Sequence, residues 1–178
     1  MENIEDHQMN RVKKISQAFI LSLVLLTACS PWSLLFKRES YGELKSRTYS
    51  VQRINQDWNS LDNSDADLAY WSKKTGTIIS INSICHPDRE MPLTVMKESV
   101  LRTLEKPKII EQKDGILANR KAIFTTVEGG VDGVPVKIKH VVVNKNFCTY
   151  DFIMSANPQE YNRDLQTFNT FVESFHAE

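Results

Sequence analysis

From Tyr49 onward the apolar positions change spacing several times, and each change marks an element. "YSVQRI" (49–54), "DLAYWS" (67–72) and "TIISINSIC" (77–85) carry the alternation and β-branched or aromatic content of strands. The first two are separated by a loop rich in Asp, Asn and Ser, and the last two by Lys73-Lys74-Thr75-Gly76, which has hairpin composition. Ile79, Ile81 and Ile84 are expected to face a core, although the alternation slips near Ser83. Leu93, Met96, Val100, Leu101 and Leu104 then fall three and four apart, the stripe of an amphipathic helix that Pro107 is expected to end.

Four more strands are expected near 108–113, 119–128, 134–144 and 147–155, with Asp-Gly turns at 114–116 and 131–134. Such short connections favour an antiparallel meander. Asn157 as N-cap, Pro158 at the first helical position and Glu160 completing a capping box open a last helix. Tyr161, Leu165, Phe168, Phe171, Val172 and Phe175 form its apolar stripe. The pattern predicts an α+β fold for residues 48–178: one antiparallel sheet of about six to seven strands flanked by two helices.

The chain before this domain follows different rules. Arg11, Lys13 and Lys14 precede Ile15–Ala28, fourteen residues without a charge. A basic cluster, a short apolar run and small residues at its end make a signal peptide over 1–28, too short for the roughly 20 apolar residues of a membrane span. The acidic residues between Glu2 and Asp6 are unusual ahead of such a cluster, so Met9 is the expected natural start. Leu26-Thr27-Ala28-Cys29 resembles the lipobox of bacterial lipoproteins. That resemblance implies lipidation at Cys29, a diacylglyceryl thioether with an amide-linked third chain, and hence a lasting anchor. Ser30 after it implies the outer membrane in a Gram-negative cell. Residues 29–47 are then a lipidated N-terminus and tether, although Trp32, Leu34, Leu35 and Phe36 could equally pack on the domain or enter the lipid interface.

Charge narrows the partners. Lys plus Arg and Asp plus Glu are both 22, and cleavage before Cys29 leaves a neutral chain of 150 residues. A neutral chain lacks the basic footprint needed to hold nucleic acid or to coat an anionic lipid surface. The expected contacts are therefore the membrane, through the lipid anchor, and another envelope protein or ligand.

Export also changes the reading of the remaining thiols, Cys85 and Cys148, which form an even pair in an oxidising compartment and are read first as a disulfide. The competing readings are a zinc site with His86 and a thiol activated by His86; the first lacks ligands and the second requires the imidazole to face the sulfur.

"DLAYWSKKTGTIISINSIC", "VDGVPVKIKHVVVNKNFCTYDF" and "FNTFVESF" resemble a family of bacterial lipoproteins whose domain is similar in turn to the PsbP-like fold. The resemblance spans about 49–176, implies an antiparallel sheet between helices, supports pairing Cys85 with Cys148, and transfers no catalytic residue.

Chemistry is sparse. No nucleophile elbow, P-loop, dinucleotide fingerprint or zinc-protease motif occurs. Asp151 interrupts an apolar strand and is a candidate buried acid. Asp65 and Asp67 loosely suggest calcium but lack the glycine and distal glutamate of an EF-hand loop. No cofactor, metal or catalytic residue is expected, and the domain reads as a non-enzymatic binding or scaffolding module. The alternative is a small-molecule or lipid binder with a cleft between the sheet and the C-terminal helix. A pocket gathering Asp151, His140 or His86 would instead favour an enzyme.

Overall fold

The computed structural model describes residues 45–177 apart from 47, 55, 56 and 63. The signal peptide, Cys29 and most of the tether lie outside the described residues. In chain order the described elements are β1 (Tyr49–Ser50), β2 (Trp58–Ser60), β3 (Leu68–Ser72), β4 (Ile78–Cys85), α1 (Leu93–Arg102), β5 (Glu105–Leu117), β6 (Arg120–Val131), β7 (Val134–Lys145), β8 (Cys148–Ala156), α2 (Tyr161–Glu173) and β9 (His176–Ala177). Seven strands make one antiparallel sheet in the order β2-β3-β4-β8-β7-β6-β5, and β1 pairs separately with β9. After β4 the chain crosses through α1 to the far edge. The meander β5–β6–β7–β8 then walks back until β8 docks on β4.

This route makes β8 an inner strand, and its alternate residues serve opposite layers. Tyr150, Phe152 and Met154 join Ile79, Ile81 and Val141 under Phe168, Phe171, Val172 and Phe175 at the C-terminal helix. On the other face, Ile123, Val127, Ile138 and Val142 pack against Met96, Val100 and Leu104. The helices therefore cover opposite faces of the sheet. Ile79, Ile81, Phe152, Phe168 and Met154 are fully enclosed, and each such side chain contributes about 1.5–3 kcal/mol by leaving water. The slip near Ser83 is explained by the same geometry. Ile79 and Ile81 face α2, Ile84 faces the α1 layer, and both layers are core.

One turn assignment and one helix stop differ from expectation. Asp114-Gly115 lies inside β5, paired with Ile123 and Ala122. The reversal falls at Ala118-Asn119, both with positive φ, 49° and 62°, the signature of a tight hairpin turn. Gly115 serves the Phe124 ring, whose nearest carbon would lie 2.7 Å from a Cβ at that position. Asp132-Gly133, at φ 51° and 77°, does form the turn before Val134. Pro107 also lies within a strand: the helix stops at Arg102, and Pro107 occupies the irregularity between Glu105 and Lys108, where a missing N–H is tolerated.

Helix α2 starts at Tyr161 with Glu160, not Asn157, at its N-cap, so Pro158 lies in the turn before the helix, where the Asn157 side chain accepts from the Gln159 N–H at 2.9 Å. Glu160 turns away from the capping box and accepts from Arg163 at 2.6 Å. Asp164, buried in the first turn, accepts from the Thr75 hydroxyl at 2.5 Å and so ties the β3–β4 turn to the helix.

Cys85 and Cys148 stand directly opposite each other at the end of the β4–β8 ladder and are joined by a disulfide. Nearby, the Asp67 carboxylate gathers the segment entering the domain. It accepts from Ser83 and, at 3.2 Å, from the Tyr49 hydroxyl, and pairs with Lys45 at 3.3 Å. Ser46 donates its N–H to the Ser83 hydroxyl at 2.8 Å and shares a hydrogen bond with the Tyr150 hydroxyl at 2.8 Å. Lys45 and Ser46 thus belong to the packed domain.

Two outcomes follow from this packing. Gly115→Ala should displace the Phe124 ring, seen as a change in its aromatic NMR signals; unchanged Phe124 signals would refute the role given to Gly115. Burial, aided by the Asp67 charge, raises the Tyr49 phenol well above its ordinary 10.0, and burial likewise raises Tyr150 and Tyr161. Their stabilising contribution is complete below the unfolded value near 10 and is lost as pH climbs from there towards the folded values. Melting temperature should therefore fall steeply above about pH 10, and less steeply in Tyr49→Phe; identical slopes would contradict this.

Candidate functional site

The residues singled out from the sequence end up in three places. On the α1 face, His140 of β7 reaches Asp151 of β8, and the two side chains are hydrogen-bonded through Nε2 and Oδ1. They are diagonal neighbours, since Asp151 stands opposite Val142. Thr125 of β6 stands opposite His140, with its hydroxyl buried and without a hydrogen-bond partner among the described residues. Hydroxyl, imidazole and carboxylate are the composition of a hydrolytic triad. Access is what they lack: Thr125 and His140 are each 1% exposed. Neither they nor Asp151 line any of the three hollows in the surface described below. Asp151 is therefore a partner-satisfied acid, and the α1 face carries a further polar chain, Thr149 to Asn144 at 2.7 Å and Asn144 to the Met91 carbonyl at 2.6 Å.

His86 follows the disulfide; its N–H donates to the Phe147 carbonyl at 2.9 Å, and its Nε2 is buried with no partner among the described residues. His176 is exposed on β9. Asp67, one of the two acids with a loose calcium resemblance, is committed to Lys45, Tyr49 and Ser83. Among the described residues no group of three or more His, Cys, Asp or Glu is placed to hold a metal ion.

Concave surface lies elsewhere. A hollow of about 400 Å³ sits between Glu90, Leu93, Arg120 and Asn144 at one end of the sheet. A second, of about 470 Å³, opens beside Asp67, Tyr49 and Tyr70. The third, of about 350 Å³, runs between Gln52, Arg53, Ile54, Asp57 and Trp58 on one side and α2 on the other. Its wall is half-buried Ile54 and Trp58, its floor reaches the enclosed Phe171, and Gln52, Arg53, Asp57, Gln166, Thr167 and Thr170 surround it. Three observations place this cleft. Trp58 sits on edge strand β2 opposite Ser72. The Gln52 N–H donates to the Ser174 hydroxyl at 2.8 Å, fastening the preceding segment to the helix end. Asp57 is held by Lys74 at 2.6 Å.

Sequence reasoning offered a cleft between the sheet and the C-terminal helix only as an alternative, and of the residues here it singled out Phe171 alone, as core. Only the solitary Trp58 in a polar stretch offered a signal. Gln166 and Thr170 occupy the outer side of a helix whose apolar stripe drew all the attention.

No protein-family profile matches the chain, and no curated protein matches it. Solved structures do share its architecture. The solution structure of cyanobacterial PsbP (CyanoP) from Synechocystis sp. PCC 6803 superposes with a TM-score of 0.56 at 11% identity, covering 74% of this chain and 87% of that one. The crystal structure of LpqN, described as involved in cell envelope biogenesis of Mycobacterium tuberculosis, superposes with a TM-score of 0.54 at 14% identity, covering 76% of this chain and 86% of that one. At such identities the likeness is one of fold, and the described domain has the PsbP-like fold.

Proposed function

We propose that this chain is a lipid-anchored lipoprotein of the bacterial cell envelope, whose α+β domain binds or scaffolds another envelope component without catalysing a reaction. The observation that carries this reading is the Cys85–Cys148 bridge across two inner strands. Disulfides persist in oxidising compartments and are rare in the cytosol, so the bridge and the export signal at 11–28 support each other. The lipobox Leu26-Thr27-Ala28-Cys29 supplies the anchor, and Ser30 directs it to the outer membrane if the cell is Gram-negative. Among the described residues no helix is long and apolar enough to cross a membrane, so in this reading the membrane is reached through Cys29. The fold is one that LpqN, an envelope-biogenesis protein, also uses.

The enclosure of Thr125 and His140, with Asp151 committed to His140, supports binding over catalysis. A second reading, a binder of a small ligand beside the C-terminal helix, is favoured by the cleft at Trp58.

Cys29→Ala should release the protein from the membrane fraction and abolish globomycin-sensitive processing. Unchanged fractionation would contradict the lipoprotein reading. Replacing Cys85 and Cys148 together by Ala should cost about 4 kcal/mol of stability in urea, since the bridge closes a loop with a separation of 63 residues. Equal midpoints for the double variant and the oxidised wild type would contradict the bridge.

A further inference from the structure

We propose that the cleft between Gln52, Arg53, Ile54, Asp57 and Trp58 on one side and α2 on the other binds a single saccharide ring carrying a negatively charged substituent. This deepens the binding reading above and rests on it for context, while its chemistry comes from the cleft alone. The volume of about 350 Å³ lies at the small end of ligand sites, which suits one substituted ring better than a long chain. Trp58 and Ile54, half-buried, give an apolar wall for the C–H face of such a ring, and Phe171 closes the floor. The rim is dominated by Gln52, Gln166, Thr167 and Thr170, whose amides and hydroxyls both donate and accept. A sugar hydroxyl also does both, so these groups match it without leaving a donor facing a donor.

The charge balance then selects among sugars. Asp57 is neutralised by Lys74 at 2.6 Å, whereas Arg53, exposed between this cleft and the hollow beside Asp67, makes no hydrogen bond or ion pair among the described residues. The cleft therefore presents one uncommitted guanidinium, a group that pairs readily with carboxylate or phosphate. A peptide added to the open sheet edge is the competing occupant. It is disfavoured because β2, the edge strand here, is three residues long and offers little ladder to extend.

Two probes differing by one acidic substituent separate these possibilities. N-acetylmuramic acid and N-acetylglucosamine would be titrated into the full chain in detergent micelles, with calorimetry for affinity and amide NMR to locate contacts at 52–58 and 166–171. The acidic sugar should bind about tenfold more tightly, the difference a charge-assisted contact makes. Arg53→Gln should erase that difference by weakening the acidic sugar more than the neutral one. Gln166→Ala, on the exposed side of α2, should weaken both sugars without altering the melting temperature; this keeps the test valid if Trp58→Ala fails to fold. Absence of binding by either sugar would overturn the proposal, as would equal affinities unaffected by Arg53→Gln. So would shifts at these residues caused by extended peptides and not by sugars. The lipid anchor is read separately by fractionation of Cys29→Ala, so failure here and failure of the lipoprotein reading are distinguishable.

Discussion

Everything in this domain hangs on β8 being covered on both sides. It pairs with β4 over eight residues and with β7 over nine; its α2 face is fully buried at Tyr150, Phe152 and Met154, and its α1 face is half-buried at Asp151 and Ile153. A one-residue slip would exchange its two faces. Tyr150, Phe152 and Met154 would leave the aromatic layer under α2, and Thr149 and Asp151 would enter it with nothing to bond. The register is therefore held by two incompatible environments. The disulfide adds a covalent stop at the last rung, where Cys85 meets Cys148.

The two layers differ chemically. The α2 layer is aromatic, with Tyr150, Phe152, Phe171 and Phe175 in mutual edge or tilted contact at centroid distances of 4.7–6.1 Å. The α1 layer mixes aliphatic packing with two separate polar pairs, His140 with Asp151 and Thr149 with Asn144. Buried polar groups of this kind are costly when unpaired and specifying when paired. The Asp67 network plays the matching part at the domain's entrance, converting the run-in at Lys45–Tyr49 into part of the fold.

Much of this architecture was legible from spacing. The stripe Tyr161–Phe175 and the helix at Met96–Val100 were visible because packing demands a period near 3.6, and the inner strands because alternation survives burial. What spacing concealed was the purpose of individual residues. Gly115 looked like a turn residue because it follows an aspartate, yet its missing Cβ makes room for a ring one strand away. Pro107 looked like a helix stop but occupies a bulge. Asp151 stood out as a break in an apolar strand, but its answer, His140, lies on the neighbouring strand, and only register could pair them. The cleft residues were least legible. Gln166 is more than a hundred residues from Arg53 and Trp58, and only the fold brings them to line one cleft.

An exported origin is the claim that connects the N-terminal signal, the bridge and a binding role in the envelope. It is tested most directly by non-reducing peptide mapping of the protein taken from intact cells after alkylation. The account predicts a linked peptide joining Cys85 to Cys148 in a chain that begins at an acylated Cys29. Two alkylated thiols at 85 and 148, in a chain retaining residues before Cys29, would contradict it.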